Sequence, residues 1–405
     1  MKTASTPKKP RRFPEGAAGR AEMRRIPQLD LQRQYAGIRG EVTAALTRVC
    51  DSQRFILGEE VATFERELAA FTGAATAVAC ASGTDALWLA LVAAGVQPGD
   101  EVLTTAFSFI ASATAIARAG ARPVLVDIDP LTFNLDPAQA EHRVHSALTS
   151  RLRAILAVHL YGQCAQMDAL QSLAAEGKLV LLEDAAQSFG AAWRGQRAGS
   201  LGLAAALSFY PTKNLGGFGD GGAVTTSEPG LAERMLRLRN HGMRERYHHD
   251  EMGWNSRLDA LQAAVLGVKL KHVAEWNQRR NQVAQTYARL FTQAGLATRK
   301  SAERPAAVQL PHTLAEAYHV YHQYVIRAER RDELRTFLAQ RGVGTEVYYP
   351  IPMHLQQCFL YLGYTEGSFP EAERAAREVL ALPMFPELEP EEQEYVVSAI
   401  AQFYS

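Results

Sequence analysis

Three short segments of this 405-residue chain carry side chains whose types suit chemistry rather than packing. The first, Glu183-Asp184-Ala185-Ala186-Gln187, follows the apolar run 179–182. Such a run reads as a buried parallel strand, so Asp184 falls at its carboxyl end, where open α/β sheets bind ligands. A carboxylate there can pair with a protonated pyridine nitrogen, and Gln187 can reach a neighbouring ring substituent. The second, Ser208-Phe209-Tyr210-Pro211-Thr212-Lys213, leaves another β-rich run for a Gly-rich turn. Held deprotonated by its surroundings, Lys213 could form a Schiff base. The third, Ser82-Gly83-Thr84-Asp85-Ala86-Leu87, lies between an expected strand and an expected helix. Backbone N–H groups and the Thr84 hydroxyl converge there on a helix N-terminus, whose dipole and unpaired donors suit a phosphate. Singly, each segment has a plainer reading: a capping or solvated Asp, a surface Lys, a Ser/Thr N-cap. Together, a phosphate cradle, a pyridinium carboxylate and a Schiff-base lysine describe a pyridoxal 5′-phosphate site.

Elements must place these segments side by side, and the hydrophobic pattern supplies them. Helices are expected over 35–51 and 59–72; in the second, Val61, Phe64, Leu68 and Phe71 recur at three-to-four spacing. Strands are then expected at 76–80, 101–104, 123–128, 154–158, 178–182 and 206–210, with helices at 84–94, 110–119, 137–147 and 167–176 between them. Strands separated by helical stretches of about a dozen residues imply right-handed βαβ crossovers and a largely parallel sheet. After about residue 255 the pattern changes. A long helix-prone stretch (258–291) precedes a strand-like run at 319–327 and a helix at 332–341. The fold class is therefore α/β, a mostly parallel central sheet in a large domain followed by a smaller C-terminal α+β domain.

Composition narrows the function classes. Lys+Arg and Asp+Glu each number 43, so no net charge attracts the chain to nucleic acid or an anionic membrane. The balance is uneven: residues 1–25 carry net +6 and the remainder net −6. The basic segment reads as a Pro-interrupted, disordered extension rather than a nucleic-acid or membrane arm. No apolar stretch suits a signal peptide or a membrane span, which places the chain in the cytoplasm. Cys50, Cys80, Cys164 and Cys358 lack a CxxC or regular spacing and are expected to be buried free thiols. The G-x-G-x-x-G match at 217–222 is discarded, because a β-type run rather than a helix follows it. His248-His249, and His319 with His322, lack partners at metal-ligand spacing and read as surface or hydrogen-bonding residues. No metal site is expected.

In combination, these segments resemble the DegT/DnrJ/EryC1/StrS family of nucleotide-sugar aminotransferases. The resemblance runs in order through SGTDALWLAL (82–91), TTAFSFIASATAI (104–116), YGQCAQMDAL (161–170), EDAAQSFGA (183–191) and LSFYPTKNLGGFGDGGA (207–223). It continues through NHGMRERYHH (240–249), NSRLDALQAAVL (255–266), HVYHQYVIR (319–327) and GVGTEVYYPIPMHLQ (342–356), leaving only the basic segment uncovered. It implies the transferase fold of type I, with a tail at 1–25, a cofactor-binding domain at 26–262 and a small domain at 263–405.

By this resemblance Lys213 holds the cofactor and shuttles protons, Asp184 keeps the pyridine nitrogen protonated, and Gln187 contacts the phenolic oxygen. Phe109 stacks on the ring; Gly83, Thr84 and Ser208 hold the phosphate; Asn255 reaches it from the partner subunit, with Arg257 facing the same site. Tyr348, Tyr349 and His354 belong to a loop bordering the sugar pocket. The implied working unit is a homodimer with shared active sites. It takes L-glutamate as amino donor and a nucleotide-linked keto-sugar as acceptor, and it serves surface polysaccharide, lipid or glycoside biosynthesis. Segments 246–249, 255–259 and 321–327 look most like the members acting on 3-keto rather than 4-keto sugars. Two alternatives are a sugar 3-dehydratase of the same family, disfavoured because those replace the lysine with histidine, and a non-catalytic cofactor-binding protein.

Overall fold

The computed structural model describes residues 25–146, 151–297 and 307–405. All but Arg25 of the basic segment 1–25 lies outside the described residues.

A seven-stranded sheet forms the centre, in the spatial order Thr76–Cys80, Gly222–Thr226, Ala204–Ser208, Val180–Asp184, Leu152–Val158, Glu101–Thr105, Arg122–Val126. The five strands from Ala204–Ser208 to Arg122–Val126 pair in parallel. Gly222–Thr226 is antiparallel to both of its neighbours. The reason is local: no helix lies between Ser208 and Gly222, so the chain returns beside the strand it has just left, running the other way. The parallel strands are buried almost throughout, as a sheet covered by helices on both faces requires.

Two expected strands are shifted by two residues, and both shifts bear on the site. The run expected at 178–182 forms Val180–Asp184, because Lys178 is the left-handed cap (φ 54°) of the helix Met167–Gly177. The run expected at 206–210 forms Ala204–Ser208, whose pairing ends at Ser208 opposite Gly222. Asp184 and Ser208 thereby become last residues of adjacent strands.

The helix-prone stretch 258–291 is two helices, Ala260–Leu270 and Val273–Gln293. The run expected as one strand at 319–327 is likewise divided. Ala317–Tyr318 pairs with Ala192–Trp193, whereas Tyr324–Ala328 joins a three-stranded antiparallel sheet with Val308–Gln309 and Val379–Leu382. Tyr321, at φ 44°, turns the chain between them. Its neighbours sit against Gly162 (φ 109°), where a Cβ would lie 2.7 Å from the His322 nitrogen. This crossing stitches the C-terminal part to the carboxyl end of the central sheet.

Arg280 holds the crossing in place. It is buried in Val273–Gln293 and its Nη1 donates to the carbonyls of Tyr321, His322 and Met384 at 3.1–3.3 Å. Burial lowers its pKa to about 10, which leaves it charged at neutral pH. Removing the guanidinium strands these buried carbonyls, so Arg280→Ala should cost about 3 kcal/mol, read as a lower midpoint of urea unfolding.

Candidate active site

A cavity of about 620 Å³ opens at the carboxyl ends of the parallel strands, where the sheet order places every segment singled out above. Asp184 is 5% exposed. Its Oδ2 accepts from Ser112 Oγ at 2.7 Å and its Oδ1 from the Ala186 N–H at 3.2 Å. Burial raises its pKa, opposed by these two bonds and by the charge of Lys213. Lys213 faces it across the cavity on the turn after Ser208, its own N–H bonded to the Tyr210 carbonyl at 2.8 Å. Enclosure lowers its pKa to about 8, with Asp184 opposing the shift. An amine with that pKa is substantially neutral just above neutral pH, as a nucleophile must be.

The expected phosphate cradle arises from strand pairing. Cys80 lies opposite Gly222, and Gly222 lies opposite Ser208, so the start of the helix Gly83–Ala93 is laid against the end of Ala204–Ser208. The contact is close: a Cβ on Gly83 would lie 2.6 Å from Ser208 Cβ, and one on Gly222 2.4 Å from the Ser82 carbonyl. Ser82 Oγ caps the Asp85 N–H at 3.1 Å, which leaves the N–H groups of Gly83 and Thr84 at the cavity wall.

On the opposite side, Gln187 is held at both ends. Its Oε1 accepts from the Tyr161 N–H and its Nε2 bonds to the Tyr349 hydroxyl, each at 2.8 Å. Tyr161, left-handed at φ 58°, donates its hydroxyl to the Tyr348 carbonyl. Phe109 is 54% exposed, its ring 6.1 Å from that of Tyr349.

Gly83, Thr84, Phe109, Asp184, Gln187, Ser208, Lys213, Tyr348 and Tyr349 therefore line one cavity. Three other expected residues do not. His354 is fully buried, its Nε2 2.9 Å from Glu373 Oε1 and its ring edge-on to Phe369, so it supports the loop from behind rather than bordering the pocket. Asn255 is exposed, and Arg257 donates to Asn240 Oδ1 at 3.1 Å; both lie outside the cavity of their own chain.

Sequence reasoning missed Ser112 and His322. A lone serine among the alanines of Ala111–Arg118 was the available signal for the first. His322, set aside as a metal ligand, lines the cavity with Nδ1 3.1 Å from Asn214 Oδ1; burial holds its pKa well below the usual range. His319 is buried and His248 and His249 are exposed, and no metal-binding cluster occurs among the described residues. The cysteine expectation needs correction. All four are free, but only Cys80 and Cys164 are buried. Cys50 is exposed because Val49 beside it takes the buried face of the helix Leu31–Ser52.

The donor set fits pyridoxal phosphate. Helix N–H groups await an anion, Asp184 is a buried carboxylate in want of a cationic partner, and Lys213 is an amine held near neutrality. Fold and site together define a pyridoxal phosphate-dependent aminotransferase. Residues 37–401 match the DegT/DnrJ/EryC1/StrS aminotransferase family, and the chain belongs to it. It is 50% identical to the "pleiotropic regulatory protein" of Geobacillus stearothermophilus, covering 94% of this chain and 98% of that one. It is 46% identical to the dTDP-3-amino-3,4,6-trideoxy-alpha-D-glucose transaminase of Streptomyces venezuelae, over 95% and 98% of the two chains. The crystal structure of S. venezuelae DesV in complex with a ketimine intermediate superposes with a TM-score of 0.88 at 46% identity, over 94% and 98%.

The low pKa of Lys213 sets a pH dependence. Its reactive neutral form gains as pH rises through about 8, so the rate at which cofactor-free protein captures pyridoxal phosphate should climb through that range and level off above it. Stopped-flow absorbance reads this directly. Lys213→Ala should show no such capture; a flat profile, or cofactor fixed covalently to Lys213→Ala on borohydride reduction, would contradict the assignment.

Proposed function

We propose that this enzyme transfers the amino group of L-glutamate to the C3 keto group of a nucleotide-linked sugar. The carrying observation is the placement of Lys213 and Asp184 in one cavity beside a helix N-terminus. Retention of lysine rather than histidine at 213 favours transamination over 3-dehydration. The 3-amino product in the name of the S. venezuelae relative supports the C3 position. Bound pyridoxal phosphate would supply a protonated pyridine ring that accepts the electron pair released at the substrate carbon.

The rest falls to the side chains. Asp184 holds the proton on the ring nitrogen, and Ser112 and the Ala186 N–H keep that carboxylate ionised. With the cofactor bound, Lys213 Nζ would take a proton from the substrate carbon and return it to the carbon on the far side of the bridging nitrogen, as a general base and then acid whose pKa lies near working pH. Gln187, braced by Tyr161 and Tyr349, orients the ring oxygen. The Gly83 and Thr84 N–H groups with Ser208 would hold the phosphate, and Phe109 would pack against the ring. Two half-reactions follow, the first consuming glutamate and the second aminating the sugar.

The working unit in this reading is a homodimer in the cytoplasm. Asn255 and Arg257 do not line their own cavity, and the adjoining Tyr247, Met252 and Trp254 are 77%, 92% and 53% exposed, an apolar surface that a second copy would cover. None of the described helices is long and apolar enough to cross a membrane.

Pyridoxamine phosphate-loaded enzyme offered 3-keto and 4-keto sugars on dTDP and UDP should aminate the 3-keto compounds, with product NMR locating nitrogen at C3. Amination confined to C4 would refute the positional preference. A second reading, regulation without catalysis, is favoured by the name of the Geobacillus relative. Glutamate should bleach the yellow protein under the first reading and leave it unchanged under the second. For the shared site, inactive Lys213→Ala and Asn255→Ala proteins, mixed and refolded together, should regain activity, because a mixed dimer carries one intact pair. Activity that stays absent would argue for self-contained protomers.

A further inference from the structure

The first turn of the helix Gly83–Ala93 contains an acid that works against that turn's task. Asp85 suits the helix dipole, but its charge repels a phosphate dianion bound one residue away. The carboxylate is not left to solvent. It is 18% exposed, paired with Arg118 through Oδ1 and accepting from Ser256 Oγ at 2.9 Å through Oδ2. Arg118 ends the neighbouring helix Ala111–Arg118, and its guanidinium lies 4.9 Å from the Trp88 ring and 5.6 Å from the Trp254 ring. The two indoles meet edge to face at 6.1 Å and fix the cation against Asp85. Neither Asp85 nor Arg118 lines the cavity.

We propose that Arg118 is a positioning residue for cofactor binding: by neutralising Asp85 it makes this helix N-terminus a net anion acceptor, so it strengthens the hold on the cofactor phosphate without touching it. The inference rests on reading the cavity as a pyridoxal phosphate site. Asp85, for its part, ties the helix through Ser256 to the segment carrying Asn255 and Arg257. The acid is thus retained for its structural bond while its charge is cancelled.

The test is equilibrium binding of pyridoxal phosphate, and of pyridoxal lacking the phosphate, to cofactor-free protein. Arg118→Met should weaken pyridoxal phosphate binding about three- to tenfold at low ionic strength, and less at high salt, because a screened charge term has changed. Pyridoxal affinity should stay at the wild-type value. Adding Asp85→Asn to Arg118→Met should restore affinity for the phosphorylated ligand, and Arg118→Lys, which keeps the charge, should bind nearly as wild type. Equal losses for both ligands, no recovery in the double variant, or unchanged binding by Arg118→Met would each overturn the proposal. Wild-type protein that captures neither ligand would overturn the reading of the cavity as well, a failure visible before any substitution is made.

Discussion

Burying the carboxylate of Asp184 is the constraint around which the site is organised. An ionised carboxylate at 5% exposure loses most of its hydration, and the protein must replace it with donors or let the group take up a proton. Ser112 and the Ala186 N–H supply part of that replacement, and the remainder is left to a cation across the cavity. Glu183, one residue earlier, points to the other face of the sheet and is treated in the opposite way. It accepts from the N–H groups of Gly199, Leu201 and Gly202 and from His159 Nε2. The Ala165 N–H donates to His159 Nδ1, so the ring proton sits on Nε2 and points at Glu183. One acid is saturated and structural. Its neighbour keeps unspent capacity for a ligand.

That asymmetry depends on register. Asp184 pairs with Val158 on one side and Ala206 on the other, which brings it level with the strand that ends at Ser208 and leads into the Lys213 turn. The antiparallel strand Gly222–Thr226 then brings the start of the helix Gly83–Ala93 against Ser208 through two steps of pairing. Gly83 and Gly222 are required there because a side chain on either would occupy the neighbouring backbone or Ser208. The second half of the site comes from the C-terminal part, where Arg280 and Gly162 pin the turn at 319–323 and present His322 to the cavity.

Much of this was legible along the chain. The helix Glu59–Thr72 and the strand Thr76–Cys80 fall where periodicity and β-propensity put them, since local pattern and tertiary burial agree at those positions. Asp184 was legible because it closes a recognisable apolar run, and Lys213 because it stands on the turn that follows another. His354 was misplaced because its motif shows which loop it occupies but not which way the ring turns; packing against Phe369 and the bond to Glu373 decide that. The run 319–327 read as one strand because alternation cannot register a left-handed Tyr321, which sits against Gly162.

By itself, then, the sequence determined the kinds of chemistry available and the order of elements, because residue type and hydrophobic period are local properties. The tertiary structure decided which groups meet. Burial lowers the pKa of Lys213 to about 8 and raises that of Asp184, and both shifts depend on neighbours distant in the chain. Ser112 reaches Asp184 from 72 residues away, and Tyr349 reaches Gln187 from 162. Such contacts leave no mark in local periodicity, because they are fixed by strand register and by the turns that fold one part of the chain over another.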